Sequence, residues 1–176
     1  PEVTSASTRA LNAIGDSTAI LSESGVGGGC ISDATRITTE AGQYFLKTHA
    51  RDFFHAEAHG LRLLRNTETL GVPEVLAVGK DFLLLEWIPN QGSIDAESLG
   101  RQLAAMHRTT RPIYGLDRDN FIGANPQTND EEADWVTFFA THRLANQARL
   151  ARDGGRWSSS RSKRLERLVK QLVNIL

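Results

Sequence analysis

Length, composition and charge restrict the classes of protein to which this chain can belong. It has 176 residues, of which 40% are hydrophobic and 23% charged, and its formal net charge is -1. The length suits one ordinary domain, or one lobe and part of another. The near-neutral charge argues against a nucleic-acid-binding protein, which needs a clustered basic excess, and no apolar run is long enough to span a bilayer.

The amino-terminal half is predicted to contain a short helix, five strands and one main helix. Phe54, Ala58 and Leu61 recur at i, i+4 and i+7, the spacing of the apolar face of a helix, which Gly71 and Pro73 are expected to end. β-branched and aromatic runs separated by turn residues predict the strands. In chain order we expect a helix at 2–14, strands at 20–23, 31–38 and 44–47, the main helix, and strands at 75–79 and 82–87.

The carboxy-terminal half is predicted to be helical. The break at residues 89–92 is interpreted as a linker, and Leu99, Leu103 and Met106 then repeat at helical spacing. A polar loop at 110–129 precedes a long helix at 131–153, and an amphipathic helix follows at 161–176. The fold class is therefore α+β, with a five-stranded antiparallel amino-terminal lobe at 1–88 and a hinge with the first helices of a second lobe at 89–176.

The stretch "SGVGGGCIS", residues 24–32, carries four glycines in five positions: Gly25, Gly27, Gly28 and Gly29. Such a loop can hold phosphate in three ways. A Walker loop needs Ser or Thr after Gly-Lys, but Gly79-Lys80 is followed by Asp81. A dinucleotide fingerprint would need glycine at Cys30 and a following helix. A kinase-type glycine loop lies between two antiparallel strands and covers ATP phosphates with backbone amides, and this pattern fits.

The kinase-type loop predicts three further features, and each is present. Lys47 lies on the next strand and would neutralise the α- and β-phosphates. Glu57 lies on the following helix and would hold the lysine ammonium in place. The stretch "FLLLEWIPN" then leads to a hinge, Glu86, Trp87 and Ile88, whose main chain is expected to contact adenine. The order of these features predicts a kinase-like, ATP-binding amino-terminal lobe.

These residues resemble one family, the fructosamine (ketosamine-3-) kinases, which are related to the aminoglycoside phosphotransferases. The similarity covers nearly all of residues 21–150. It is carried by "GGGCIS", "FLKT", "AEAHGLRLL", "GVPEVLAVG", "LLLEWIP", "LGRQLAAMHR", "YGLDRDNFIG" and "DWVTFFATHRLANQ". The resemblance implies transfer of the ATP γ-phosphate to the 3-hydroxyl of a ketoamine carried by an amine or a protein, after which the unstable product releases the sugar and glycation is reversed. It also implies Mg²⁺ as a cofactor.

The sequence departs from the family pattern at the catalytic base. A His-x-Asp loop is expected, yet none of the five histidines is followed two residues later by aspartate. Asp117 and Asp119 precede two predicted helices and are interpreted as structural or substrate-rim residues. We therefore predict no catalytic residue and no metal ligand within this chain. Both are expected beyond Leu176, because the chain ends within an apolar helical pattern, and the segment alone is expected to be inactive.

Two alternatives stay open from the sequence. The protein can be a related kinase that uses aminoglycoside- or choline-like hydroxyls, or a non-catalytic nucleotide-binding or interaction module. The single cysteine, Cys30, cannot form an internal disulfide, so we expect a cytoplasmic protein. The chain starts with Pro1 instead of methionine, which is compatible with an organellar leader that has been removed. Cys30 is either a small packed residue or a redox switch that links two chains, so we expect a monomer or a dimer.

Overall fold

The computed structural model describes residues 4–27, 32–89 and 95–176. Its internal contacts divide the chain into two compact units, one up to Thr109 and one from Thr110 onwards. The predicted lobes at 1–88 and 89–176 stay a prediction, because residues 90–94 lie outside the described part. In that part, no helix is both long and apolar enough to cross a membrane.

The described residues of the first unit form three helices and a five-stranded sheet. Its elements are α1 (Ala6–Ala13), β1 (Ile20–Gly25), β2 (Asp33–Thr39), β3 (Gln43–Thr48), α2 (Phe54–Arg65), β4 (Val75–Val78), β5 (Phe82–Glu86) and α3 (Ala96–Met106). The strand order is β1-β2-β3-β5-β4, and every neighbouring pair is antiparallel. The predicted α+β class and the five-stranded antiparallel sheet are confirmed.

One face of the sheet packs against α1. Because side chains alternate along a strand, every second residue points to this face. Ala10 and Leu11 of α1 are buried there, and strand residues complete the cluster. These are Ile37, Leu46, Phe82 and Leu84, with Tyr44, Leu76 and Ala77 at the edge. We call this surface the α1 face; it forms a closed apolar core.

The opposite surface, which we call the α2 face, packs against α2. Phe54 and Ala58 of the helix are buried against Leu83 and Leu85 of β5. Leu61 is partly buried in the same cluster, so the helical spacing predicted from sequence is confirmed. The helix ends at Arg65 and is followed by the cap residue Asn66, so the prediction that Gly71 and Pro73 end it is wrong.

A carboxylate ties the connection after α1 to the sheet. Asp16 accepts hydrogen bonds from the backbone and hydroxyl of Thr18, at 2.9 and 2.6 Å, and from the hydroxyls of Thr39 and Tyr44, at 2.8 and 3.0 Å. These donors, Thr18 foremost, lower the pKa of Asp16 to about 2. Burial, and then the Asp16 carboxylate, raise the pKa of Tyr44. The cluster fixes the start of β1 against β2 and β3.

The second unit contains a small hairpin and a bundle of helical segments. They are β6 (Asn120–Ile122), β7 (Asn125–Gln127), α4 (Trp135–Phe138), a π-helix (Phe139–Ala145), α5 (Asn146–Asp153), α6 (Ser159–Gln171) and a 3₁₀ turn (Leu172–Asn174). The hairpin lies where a loop was predicted. The predicted helix at 131–153 begins four residues later, because the carboxylate of Asp134 accepts from the Thr137 amide and caps it. The predicted helix at 161–176 is α6 and the 3₁₀ turn.

Polar side chains connect the hairpin to the π-helix. His142 is buried and bonds the Thr128 hydroxyl through Nδ1 at 3.0 Å. Arg143 donates to the Thr128 carbonyl and to Asn129 Oδ1, and burial lowers its pKa. Asn129 in turn donates to Asn120 Oδ1 at 2.9 Å. Because π-helices interrupt the ordinary i to i+4 ladder, this network accounts for how the irregular segment is held.

Candidate functional site

An ion pair joins the sheet to α2 on the α2 face. Lys47 is in β3, between Ala34 of β2 and Leu83 of β5 in the strand register. Its Nζ lies 2.5 Å from Oε1 of Glu57, in the first turn of α2. The lysine and glutamate side chains are 23% and 35% exposed, so solvent and ligands can still reach them. The sequence predicted this pair, and the fold brings the two residues together.

An apolar slot of about 280 Å³ lies next to the predicted hinge. It is lined by Val26, Phe45, Pro73, Leu85, Glu86, Trp87 and Ile88. Val26 follows β1 and is held by a 2.8 Å bond from its amide to the Ala34 carbonyl, while Phe45 precedes Lys47 by two residues on the same strand face. Such a slot fits a flat, mostly hydrophobic ring whose hydrogen-bonding groups lie only at its edge, where they can bond the protein main chain.

The predicted hinge residue Trp87 makes one aromatic stacking contact and one cation–π contact. Its ring stacks on Phe45 with centroids 6.3 Å apart and an interplanar angle of 28°. The guanidinium carbon of Arg36, in β2, lies 4.8 Å from the centroid of the same indole ring. The indole therefore contacts both the Phe45 ring and the Arg36 guanidinium, which belong to neighbouring strands.

The carboxylate of Glu86 contacts the segment before β4 and the last turn of α2. It accepts a hydrogen bond from the Glu74 amide at 3.1 Å and lies 3.5 Å from Arg65, in the last turn of α2. The Glu86 amide also donates to the Glu74 carbonyl at 3.0 Å. Arg65 itself donates to the Val72 carbonyl at 2.6 Å. These contacts fix the first hinge residue at the end of β5.

Two of the four predicted phosphate-loop glycines lie in the described part of the chain. A Cβ added at Gly25 or Gly27 would meet no atom of the described residues within 4 Å. Neither position therefore needs glycine for internal packing, and the open space lies beside the backbone. Gly28, Gly29 and the predicted redox residue Cys30 lie outside the described residues.

The described residues offer no ready metal site. Residues 4–27, 32–89 and 95–176 hold no group of three or more His, Cys, Asp or Glu side chains that could bind a metal ion. Asp119 accepts a bond from the Asn129 amide at 3.0 Å, and Asp117 forms an ion pair with Arg118. Asp119 therefore stabilises the hairpin region. The described residues do not match the ligand set that Mg²⁺ would need beyond its bonds to phosphate.

Sequence reasoning missed four slot residues and one stacking residue. Phe45 could have been found, because strand alternation places it beside Lys47 on the α2 face. Leu85 follows from the same rule, since it pairs with Phe45 in the register. Val26, Pro73 and Arg36 have no comparable signal, because their positions depend on the course of loops and on a side chain that reaches across the sheet.

The comparisons with known proteins agree on one family. The family model described as fructosamine kinase matches residues 3–176. The chain belongs to the fructosamine kinase family. It is 38% identical over 149 residues to a chloroplastic protein-ribulosamine 3-kinase of Oryza sativa subsp. indica, a match that covers 77% of this chain and 43% of that protein. It is 36% identical over 154 residues to a probable ketoamine kinase of Enterococcus faecium, covering 83% of this chain and 54% of the relative.

Solved structures of this family share the fold. The crystal structure of a candidate fructosamine-3-kinase from Thermobifida fusca superposes with a TM-score of 0.84 at 26% identity and covers 98% of this chain and 62% of its own. A kinase-like fold, as predicted, is therefore confirmed. This family member spans about half the length of the curated relatives that it matches.

Proposed function

We propose that this chain supplies the ATP-binding part of a ketosamine 3-kinase. The observation that carries the proposal is the 2.5 Å pair between Lys47 and Glu57, which lies on the same sheet face as the apolar slot. In such a site the ammonium contacts the α- and β-phosphates, and Glu57 limits its motion. Gly25, Gly27, Gly28 and Gly29 cover the phosphates with backbone amides. The slot takes adenine, and the main chain of Glu86, Trp87 and Ile88 binds the edge of the base.

The reaction proposed for the complete protein is phosphoryl transfer to the 3-hydroxyl of a fructosamine or ribulosamine carried by an amine or a protein. The hydroxyl oxygen forms a bond to the γ-phosphorus, the bond from that phosphorus to the β-γ bridging oxygen breaks, and ADP leaves. The hydroxyl proton passes to a general base. Mg²⁺ would neutralise charge on the phosphates, but the described residues supply no ligand set for it. The names of the relatives support the substrate class.

We propose that the general base and the metal ligands lie outside these 176 residues, and that the chain alone binds nucleotide without transferring phosphate. The support is the lack of any His-x-Asp among the five histidines. We further propose a cytoplasmic location and no nucleic-acid or membrane partner. A monomer or dimer is expected, and a disulfide through Cys30 is the proposed link in the dimer.

Calorimetric titration of the chain with adenosine and with ATP tests the nucleotide site. Lys47→Met should leave adenosine binding unchanged and weaken ATP about 30-fold, since a lost charge-assisted contact to phosphate costs about 2 kcal/mol. Lys80→Met is the matched control, because Lys80 is an exposed lysine in the turn between β4 and β5 of the same sheet. Equal ATP affinity of both variants would contradict the proposal.

Activity of the complete protein tests the substrate class. Phosphate transfer from ATP to a fructosyl or ribulosyl amine is expected, with choline and an aminoglycoside as competing acceptors. Transfer only to the latter would favour the related small-molecule kinases. Turnover of a ketosamine by the 176-residue chain itself would overturn our placement of the base.

A further inference from the structure

We propose that Arg36 and Trp87 form a positioning pair that sets the affinity of the site for the adenine base and not for the phosphates. The inference rests on the proposed ATP site. It assigns a role to a residue, Arg36, that does not line the slot and that no motif in the sequence singles out.

The pair connects two parts of the sheet that share no backbone hydrogen bonds. In the order β1-β2-β3-β5-β4, β2 and β5 are separated by β3. Arg36 of β2 is in register with Ser24 on one side and with Phe45 on the other, and Phe45 is in register with Leu85 of β5. The Trp87 indole follows β5 and lies against both Phe45 and Arg36. The contact therefore joins β2, the strand that follows the glycine loop, to the hinge.

Among the described residues, the Trp87 indole is the main partner of the Arg36 guanidinium. The Nε atom of Arg36 is buried and has no hydrogen-bond partner within the described residues. A guanidinium whose Nε is removed from water in this way depends more on its stack, because cation–π attraction rises when the cation is desolvated. Arginine suits this position since its planar group can lie flat on the ring, which a lysine ammonium cannot do.

The consequence for the site follows from which residues line the slot. Trp87 and Phe45 form part of its wall, and Val26, which follows β1 and bonds Ala34 of β2, forms another part. Arg36 holds the indole toward β2 and thereby fixes the separation between the hinge and β2, to which Val26 is bonded. Because Lys47 is fixed by Glu57 instead, loss of Arg36 should change base binding and leave the phosphate contribution intact.

The test is a pair of affinities, measured by calorimetry for adenosine and for ATP. Arg36→Met is expected to weaken both ligands by the same factor, about 3- to 10-fold, so that their affinity ratio stays at the wild-type value. Lys47→Met changes the ratio instead. Arg36→Lys should resemble Arg36→Met, and it carries the test should the methionine variant fold poorly. Arg62→Met, at an exposed position on α2, is the matched control.

A double-mutant cycle with Trp87→Leu assigns the effect to the pair. Once the indole is absent, Arg36→Met should add less than about a further 1.5-fold to the loss of adenosine affinity. Full additivity of the two losses of adenosine affinity would overturn the proposal. An Arg36→Met protein with unchanged adenosine affinity would overturn it too. Loss of ATP affinity alone would also contradict it, because Arg36 would then contact phosphate. A wild-type chain that binds neither ligand would overturn the proposed function itself, which separates the two failures.

Discussion

The two faces of the five-stranded sheet are built from alternate residues of the same strands and have different properties. The α1 face is a closed core in which Ile37 and Leu84 are fully buried. The α2 face holds an apolar cluster too, but it is interrupted by the pair of Lys47 and Glu57 and by an open slot. The α1 face therefore serves packing alone, whereas the α2 face combines an apolar cluster with the proposed ligand site, so substitutions in the α1 core and at the proposed site should have separable effects.

The largest expected effect is on stability and comes from the α1 face. Leu84→Ala removes a buried side chain from a packed cluster and should lower the free energy of unfolding by about 3 kcal/mol. The affinity of the folded fraction for adenosine should stay at the wild-type value. Urea unfolding and calorimetry on one sample measure both quantities. A large change in affinity would show that the two faces are coupled, contrary to the comparison.

The next effect is on ligand affinity and comes from the α2 face. Glu57→Gln removes the charge that holds Lys47 and should weaken ATP about 10-fold, or about 1.4 kcal/mol, with little change in adenosine affinity. The unfolding midpoint should change little, because the pair is partly exposed and such pairs contribute little to stability. Glu97→Gln, in an exposed pair on α3, is the control. Loss of stability without loss of ATP affinity would make the pair structural.

Much of this division could be predicted from the sequence, because it depends on local periodicity. The alternation along "YFLKT" places Lys47 and Phe45 on one face, and the helical spacing of Phe54, Ala58 and Leu61 places α2 against it. The Lys47 to Glu57 pair follows from these two patterns together with the glycine loop.

The rest of the site could not be predicted, because it depends on where loops and long side chains run. Pro73 reaches the slot by the path of the segment between α2 and β4, and Arg36 reaches Trp87 across β3. In the second unit, the apolar pattern across Phe139–Ala145 still predicts an ordinary α-helix, because one residue inserted into the hydrogen-bond ladder changes that pattern little. The π-helix there could therefore not be predicted from the sequence. Asn and Pro, which are rare in strands, concealed the hairpin of β6 and β7.

A smaller effect, with opposite signs for stability and binding, is expected in the glycine loop. Gly27→Ala adds a methyl group where the described residues leave open space, and the lower entropy of the unfolded chain should keep or slightly raise the melting temperature. ATP affinity should fall about 3-fold, since the methyl group obstructs close approach of phosphate to the backbone. Thermal unfolding and ATP titration test this. Destabilisation with unchanged ATP affinity would assign the glycine to folding.

The smallest effect concerns the charged group at the α1 face. Asp16 has a pKa lowered to about 2 by its hydrogen bonds to Thr18 above all, so its folded-state pKa lies below that of the unfolded carboxyl, near 3.8. The stability that the ionised carboxylate contributes is therefore fully present above about pH 4 and is lost as the pH falls through about 2. The difference in urea midpoint between the wild type and Asp16→Asn should shrink over this range. Adenosine affinity at pH 7 should be the same in both proteins, because Asp16 bonds Thr39 and Tyr44 on the side of the sheet away from the slot. A pH-independent difference would mean that the Asp16 hydrogen bonds stabilise the fold without their charge, and a change in adenosine affinity would remove the separation of the two faces.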